Sequence, residues 1–115
     1  MHELSIAMSI VELAEEELAA RSGATIQAVH LKLGRLSGVS REALESCFEM
    51  ACSDSPLAGS RLVIEEIPVT IRCLNCAEAR CLDSVQFFYC PVCGLAASDI
   101  VSGKELEVVA LEILE

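Results

Sequence analysis

Four cysteines in two pairs carry the clearest chemistry in this 115-residue chain: Cys73-Leu74-Asn75-Cys76 and Cys90-Pro91-Val92-Cys93-Gly94, two CxxC knuckles with 13 residues between them. Two intervening residues let one tight turn present both thiolates to a single ion, and a second such turn closes a tetrahedron. Pro91 stiffens the second turn, and Gly94 permits the positive φ that aims backbone N–H groups at the sulfurs. Four protein thiolates leave no open position for water or substrate, so the pattern predicts a structural Zn(II) site in a lobe that unfolds without metal. A redox CxxC would need one motif at a helix start, and two motifs at metal spacing oppose that reading. Cys81 lies between the knuckles as a spare ligand or a loop thiol without a role. Cys47 and Cys52 stand five apart on a helix, hence on different faces, and read as small hydrophobes rather than a second metal site.

His2, beside the α-amino group of Met1, offers a different chemistry. The amine and the His2 amide nitrogen close a five-membered ring with a metal, and the amide nitrogen and imidazole Nδ1 close a six-membered one. Deprotonated amides are strong-field donors, which suits square-planar Ni(II) or Cu(II) better than zinc. Taken alone, a histidine at position two is ordinarily a frayed terminal residue.

The elements that must position these groups follow from periodicity. Leu4, Met8, Val11, Ala14 and Leu18 recur at helical spacing from Glu3 to Ala20, with Ile6, Ile10 and Leu13 widening the stripe, and Ser22-Gly23 ends the helix. Thr25 to Leu33 alternates as a strand with Val29, Leu31 and Leu33 inward and His30 and Lys32 outward, which makes His30 an exposed side chain rather than a ligand. Ser40 is the expected N-cap of a second helix with Ala43, Leu44, Cys47, Phe48 and Ala51 on its inner face, ending before Pro56. A second strand runs through Val63, Ile64 and Ile67, with Pro68 at an edge or at its end. Within the cysteine region only Val85 to Tyr89 reads as a strand. Leu106, Val108, Val109, Leu111 and Ile113 then form the last one. The expected fold is α+β: two helices on a three-stranded mixed sheet of residues 25–33, 61–69 and 105–113, with a four-cysteine zinc-ribbon lobe inserted.

Composition narrows the function. A net charge of −10 repels phosphate backbones and excludes nucleic acid as a natural partner, while suiting cations, basic protein surfaces or simple solubility. Hydrophobic residues make up 53 %, yet Phe48, Phe87, Phe88 and Tyr89 are the only aromatics, so the core is aliphatic. No signal-peptide pattern and no membrane-length apolar run occur, and seven cysteines in an odd count fit a reducing, cytoplasmic setting better than a disulfide framework. Two histidines, at position two and on a strand, provide no visible general base, and a non-enzymatic role is expected.

The opening MHELSI, the segments LKLGRLSGVSREAL, CFEMA and LVIEEIPV, the knuckle CPVCG and the closing GKELEV resemble the hydrogenase-maturation nickel metallochaperones known as HypA/HybF over nearly the whole chain. The resemblance implies a nickel-binding domain, residues 1–69 plus 104–115, with a zinc-binding domain, 70–103, inserted before the last strand. It implies Ni(II) as cargo at the N-terminus, structural Zn(II), cooperation with a GTPase accessory protein, and delivery toward the NiFe hydrogenase large subunit precursor. His2 would supply imidazole and backbone nitrogen, with further backbone nitrogens from Met1 or Glu3, and Glu3 would serve in nickel binding or partner contact. Some relatives carry a carboxylate where this chain has Ser40, with Glu42 the nearest alternative, and some carry a lobe histidine absent from residues 70–103. The competing expectation is a zinc-ribbon interaction adaptor without metal delivery. Monomer and homodimer both remain open, and no nucleic-acid or membrane partner is expected.

Overall fold

The computed structural model describes residues 2–83, 88–97 and 99–115. Its elements run α1 (Glu3–Ala19), β1 (Thr25–Gly34), α2 (Arg41–Cys52), β2 (Arg61–Ile67), β3 (Val69–Cys73), β4 (Glu78–Leu82), β5 (Asp99–Ser102) and β6 (Leu106–Leu114). They form two three-stranded sheets, ordered β2-β1-β6 and β4-β3-β5. The chain divides into two compact units, Met1–Lys32 with Val39–Glu65 and Glu107–Glu115, and Leu33–Gly38 with Glu66–Leu106.

In the first unit α1 packs on α2. Ala7, Ile10, Val11 and Ala14 are the buried residues of α1, three and four apart. The buried stripe is therefore rotated from the expected one: Val11 and Ala14 stay inside, Ile6 and Leu18 are half-buried, and Leu4, Met8 and Leu13 are exposed. The helix carries apolar residues over a wider arc than one partner covers, and the small Ala7 and Ala14 favour close approach on that arc. On α2, Leu44, Phe48 and Cys52 are buried. Ser40 caps this helix as expected, with extended backbone and Oγ accepting from Ala43 N–H at 3.3 Å.

The first sheet is mixed. Ser60 Oγ donates to the Ile26 carbonyl near the start of β1 and β2, and Arg35 N–H donates to the Ile67 carbonyl where both end, so these strands are parallel and α2 is the crossover between them. Gly34 N–H meets Glu105 O where β1 ends and β6 begins, which makes that pair antiparallel. As the central strand, β1 buries Ile26 and Ala28 on one face and Val29, Leu31 and Leu33 on the other, while Gln27 is exposed. His30 is half-buried rather than fully exposed, and its Nε2 hydrogen-bonds Glu112 Oε2 at 2.7 Å.

In the second unit Pro68 separates β2 from β3. Three short strands occupy the cysteine region: β3 pairs antiparallel with β4 and with β5. Sequence reading missed them because the apolar alternation of Val69, Ile71 and Cys73 is brief and its partners are largely polar. Of the expected strand at Val85 to Tyr89, residues 85–87 lie outside the described residues, and Tyr89 forms an isolated bridge with Ala96. The core gathers Val69, Ile71, Cys73, Leu82 and Cys90, with Leu36, Cys76, Phe88, Ala97 and Ile100 packed against it. Gly34 is required in this unit, since a Cβ there would collide with the Gly103 carbonyl.

Candidate metal centre

Strand β3 ends at Cys73, and the turn that follows carries Cys76 before β4 begins. Cys76 N–H points at Cys73 Sγ, 3.4 Å away. The second knuckle repeats this construction between Tyr89 and Ala96: Cys90 N–H donates to Leu95 O, and Gly94 N–H to Cys90 O, both at 2.8 Å. The residue after each knuckle is left-handed, Ala77 at φ 57° and Gly94 at φ 79°. Ala77 is the only non-glycine residue with positive φ among the described residues.

The knuckles bring all four sulfurs within 4.8 Å of one another. Cys73 Sγ lies 3.5 Å from Cys93 Sγ, and Cys76 Sγ 3.9 Å from Cys90 Sγ. Zinc–sulfur bonds of about 2.3 Å in a regular tetrahedron place the sulfurs about 3.8 Å apart. A disulfide would need about 2.05 Å, so the observed separations fit a four-thiolate ion site and not paired cystines. Cys73 and Cys90 are buried, Cys76 is half-buried and Cys93 is exposed.

Negative charge on the four sulfurs is unevenly supported by the protein alone. Cys90 is drawn down to about 6, chiefly by the backbone N–H of Cys93 and also by that of Val92. Cys93 is lowered by the Leu95 N–H, whereas Cys76 is pushed up to about 11 by Cys93 and by burial. Four adjacent thiolates repel, and a divalent cation removes that conflict.

Other cysteines stay apart from this group. Cys81 is exposed on β4, paired across the sheet with Thr70. Cys47 is half-buried and Cys52 buried on α2. Sequence reading missed Arg80, which lies on the inward face of β4 and whose charged form is favoured first by Cys76 and then by Cys90. The signal was available in the strand Glu-Ala-Arg-Cys-Leu, where Arg80 alternates with the inward Leu82.

At the other candidate site Met1 lies outside the described residues. His2 is exposed, its backbone is extended, and it stands at the N-cap of α1 without a side-chain capping bond. Its carbonyl accepts from Ile6 N–H at 3.2 Å. Glu3 Oε2 accepts from Ser40 N–H at 3.0 Å, and Ser40 Oγ lies 3.5 Å from Glu42 Oε2. The fold thus joins the residues following His2 to the cap of α2, including Ser40 and Glu42, while His30 pairs elsewhere with Glu112.

An α+β chain with a sulfur-only ion centre belongs to the class of small metal-binding proteins. The comparisons make this specific. The family described as hydrogenase/urease nickel incorporation, metallochaperone, hypA matches residues 1–113. A hydrogenase maturation factor HypA of Roseiflexus sp. (strain RS-1) is 49 % identical over 112 residues, covering 97 % of this chain and 91 % of the relative. One from Chloroflexus aurantiacus is 46 % identical, covering 97 % and 98 %. The solution structure of the Ni metallochaperone HypA from Helicobacter pylori superposes with a TM-score of 0.66 at 25 % identity, covering 99 % of this chain and 98 % of that one. A second HypA solution structure gives 0.71, also at 25 % identity, covering 99 % and 97 %. The chain belongs to the HypA family of nickel-incorporation metallochaperones.

Proposed function

We propose that this chain carries Ni(II) on nitrogens of Met1, His2 and Glu3 and, with a GTPase accessory protein, delivers it to the NiFe hydrogenase large subunit precursor. Nickel binding belongs to residues 1–69 and 104–115, and Zn(II) held by Cys73, Cys76, Cys90 and Cys93 is the structural ion of residues 70–103. The observation that carries the nickel reading is the exposed His2 at the head of α1, whose side chain makes no capping bond. First-turn N–H groups have no intrahelical acceptor, so amide nitrogens here can enter a metal's plane without breaking the helix ladder. Such a chelate favours planar Ni(II) or Cu(II), and partner contacts and supply select nickel. The protein acts as a carrier and not as an enzyme, and its free thiols suit the cytoplasm.

The adaptor reading draws support from the exposed knuckle tips, where Leu74 is 82 % and Val92 68 % accessible. Nickel and zinc measured separately in wild type, His2→Ala and a form with one residue added before Met1 distinguish the two. Zinc is expected to stay in all three. Specific nickel binding should vanish in His2→Ala and weaken in the extended form, and acidification should release nickel as protons compete for the nitrogens. Unchanged nickel affinity in His2→Ala would leave the adaptor standing.

A further inference from the structure

Arg80 is out of place for a strand surface. The β3/β4 register sets Val69 opposite Leu82, Ile71 opposite Arg80 and Cys73 opposite Glu78, so Arg80 shares the sheet face of Val69, Ile71, Cys73 and Leu82. Those four are core residues, and the Arg80 side chain is only 24 % exposed. Glu78 Oε2 accepts from Nη1 at 2.7 Å, which uses one of five guanidinium donors. Nε is buried and has no hydrogen-bond partner among the described residues. A buried, unpaired donor on a permanent cation is costly unless an anion faces it.

The anion on this face is sulfur. Cys73 stands diagonal to Arg80 on this face, Cys90 shares its core and Cys76 packs against that core; Cys76 and then Cys90, ahead of Glu78, favour the charged guanidinium. Four thiolates around a divalent ion leave two excess negative charges, and N–H groups directed at ligand sulfurs disperse that charge. We propose that Arg80 is the outer-shell cation of the metal centre, donating N–H groups to the sulfurs of Cys76 and Cys90 and so protecting the bound thiolates from electrophiles. The inference rests on the four-thiolate reading above. It assigns Arg80 a positioning and shielding role, one that neither metal ligation nor core packing requires.

The test uses the full chain loaded with zinc, as wild type, Arg80→Met and Arg80→Lys, each verified for one zinc per chain. Iodoacetamide is the probe. A ligand-sulfur lone pair attacks its methylene carbon, the C–S bond forms as C–I breaks, and iodide leaves. Alkylation of a ligand frees zinc, which a colorimetric chelator reports, so modification of Cys47, Cys52 or Cys81 does not enter the reading. Zinc release is expected to be about tenfold faster in Arg80→Met, the size typical of lost outer-shell partners, with Arg80→Lys between it and wild type. In Co(II)-loaded protein the sulfur-to-cobalt charge-transfer band should move to lower energy in Arg80→Met, a change that loss of packing alone would not cause. Wild-type release rates and an unmoved band in a folded, loaded variant would overturn the proposal. If Arg80→Met does not fold, Arg80→Lys decides alone: faster release supports the proposal and the wild-type rate defeats it. A wild type that binds no metal would instead remove the four-thiolate reading.

Discussion

Glu3 joins positions that are far apart in the chain: its carboxylate accepts from Ser40 N–H, at the entry to α2. That bond, and after it the residue's own N–H, holds the carboxyl below its ordinary value of 4.5. A carboxyl lowered in the folded state adds stability above its unfolded value and loses it as pH falls through the folded one. The Ser40 amide proton should therefore titrate with a midpoint below 4.5 in wild type and lose this titration in Glu3→Gln, as followed by NMR. A Ser40 amide that responds equally in both proteins would refute the linkage. At this scale the cysteine quartet was legible because its spacing is local, and the Ser40 cap because its sequence context is. The Glu3–Ser40 bond was not, since nothing within either segment encodes a pairing 37 positions apart.

The two knuckles are one element built twice, with unequal residues at the turn that closes each. Gly94 adopts φ 79° freely, whereas Ala77 holds φ 57° against the clash of its Cβ. Left-handed geometry costs a residue with a side chain about 1–2 kcal/mol, and a glycine returns about 0.4–1 kcal/mol of that as unfolded-chain entropy. Ala77→Gly is expected to stabilise the metal-bound lobe by about 0.5–1 kcal/mol and Gly94→Ala to weaken it comparably, read from zinc release during denaturant unfolding. Equal midpoints for all three proteins would mean that the turns yield. Elements long enough to show a period were legible, namely α1, α2, β1 and β6. Two things were lost: the facing of α1, because its apolar residues outnumber the positions α2 covers, and the β4-β3-β5 sheet, because strands of four or five residues carry too little pattern.

Taken whole, the molecule has two cores, of which one contains cysteines of the candidate metal centre. Cys73 and Cys90 are buried members of the second unit's core, so removing the ion leaves crowded thiols where packing must close. The buried core of the first unit is aliphatic apart from Phe48 and Cys52, and holds none of the four clustered cysteines. Chelator treatment followed by hydrogen exchange should strip protection from amides of β3, β4 and β5 while those of α1 and α2 remain slow. Uniform loss of protection would show a single cooperative structure instead. The second unit takes in Leu33–Gly38 from far upstream, a segment that the clustering of cysteines does not mark.

That remote contribution bears on how the cysteine region could be made by itself. All four cysteines fall within residues 73–93, yet Leu36 packs against the core that holds Cys73 and Cys90, and Leu36 N–H donates to the Gly103 carbonyl at 2.6 Å. A synthetic peptide cut to the cysteine-bearing stretch would present the sulfurs without the leucine that packs on their core. A faithful minimal version must graft in the upstream hexapeptide, or replace its apolar side chain with another.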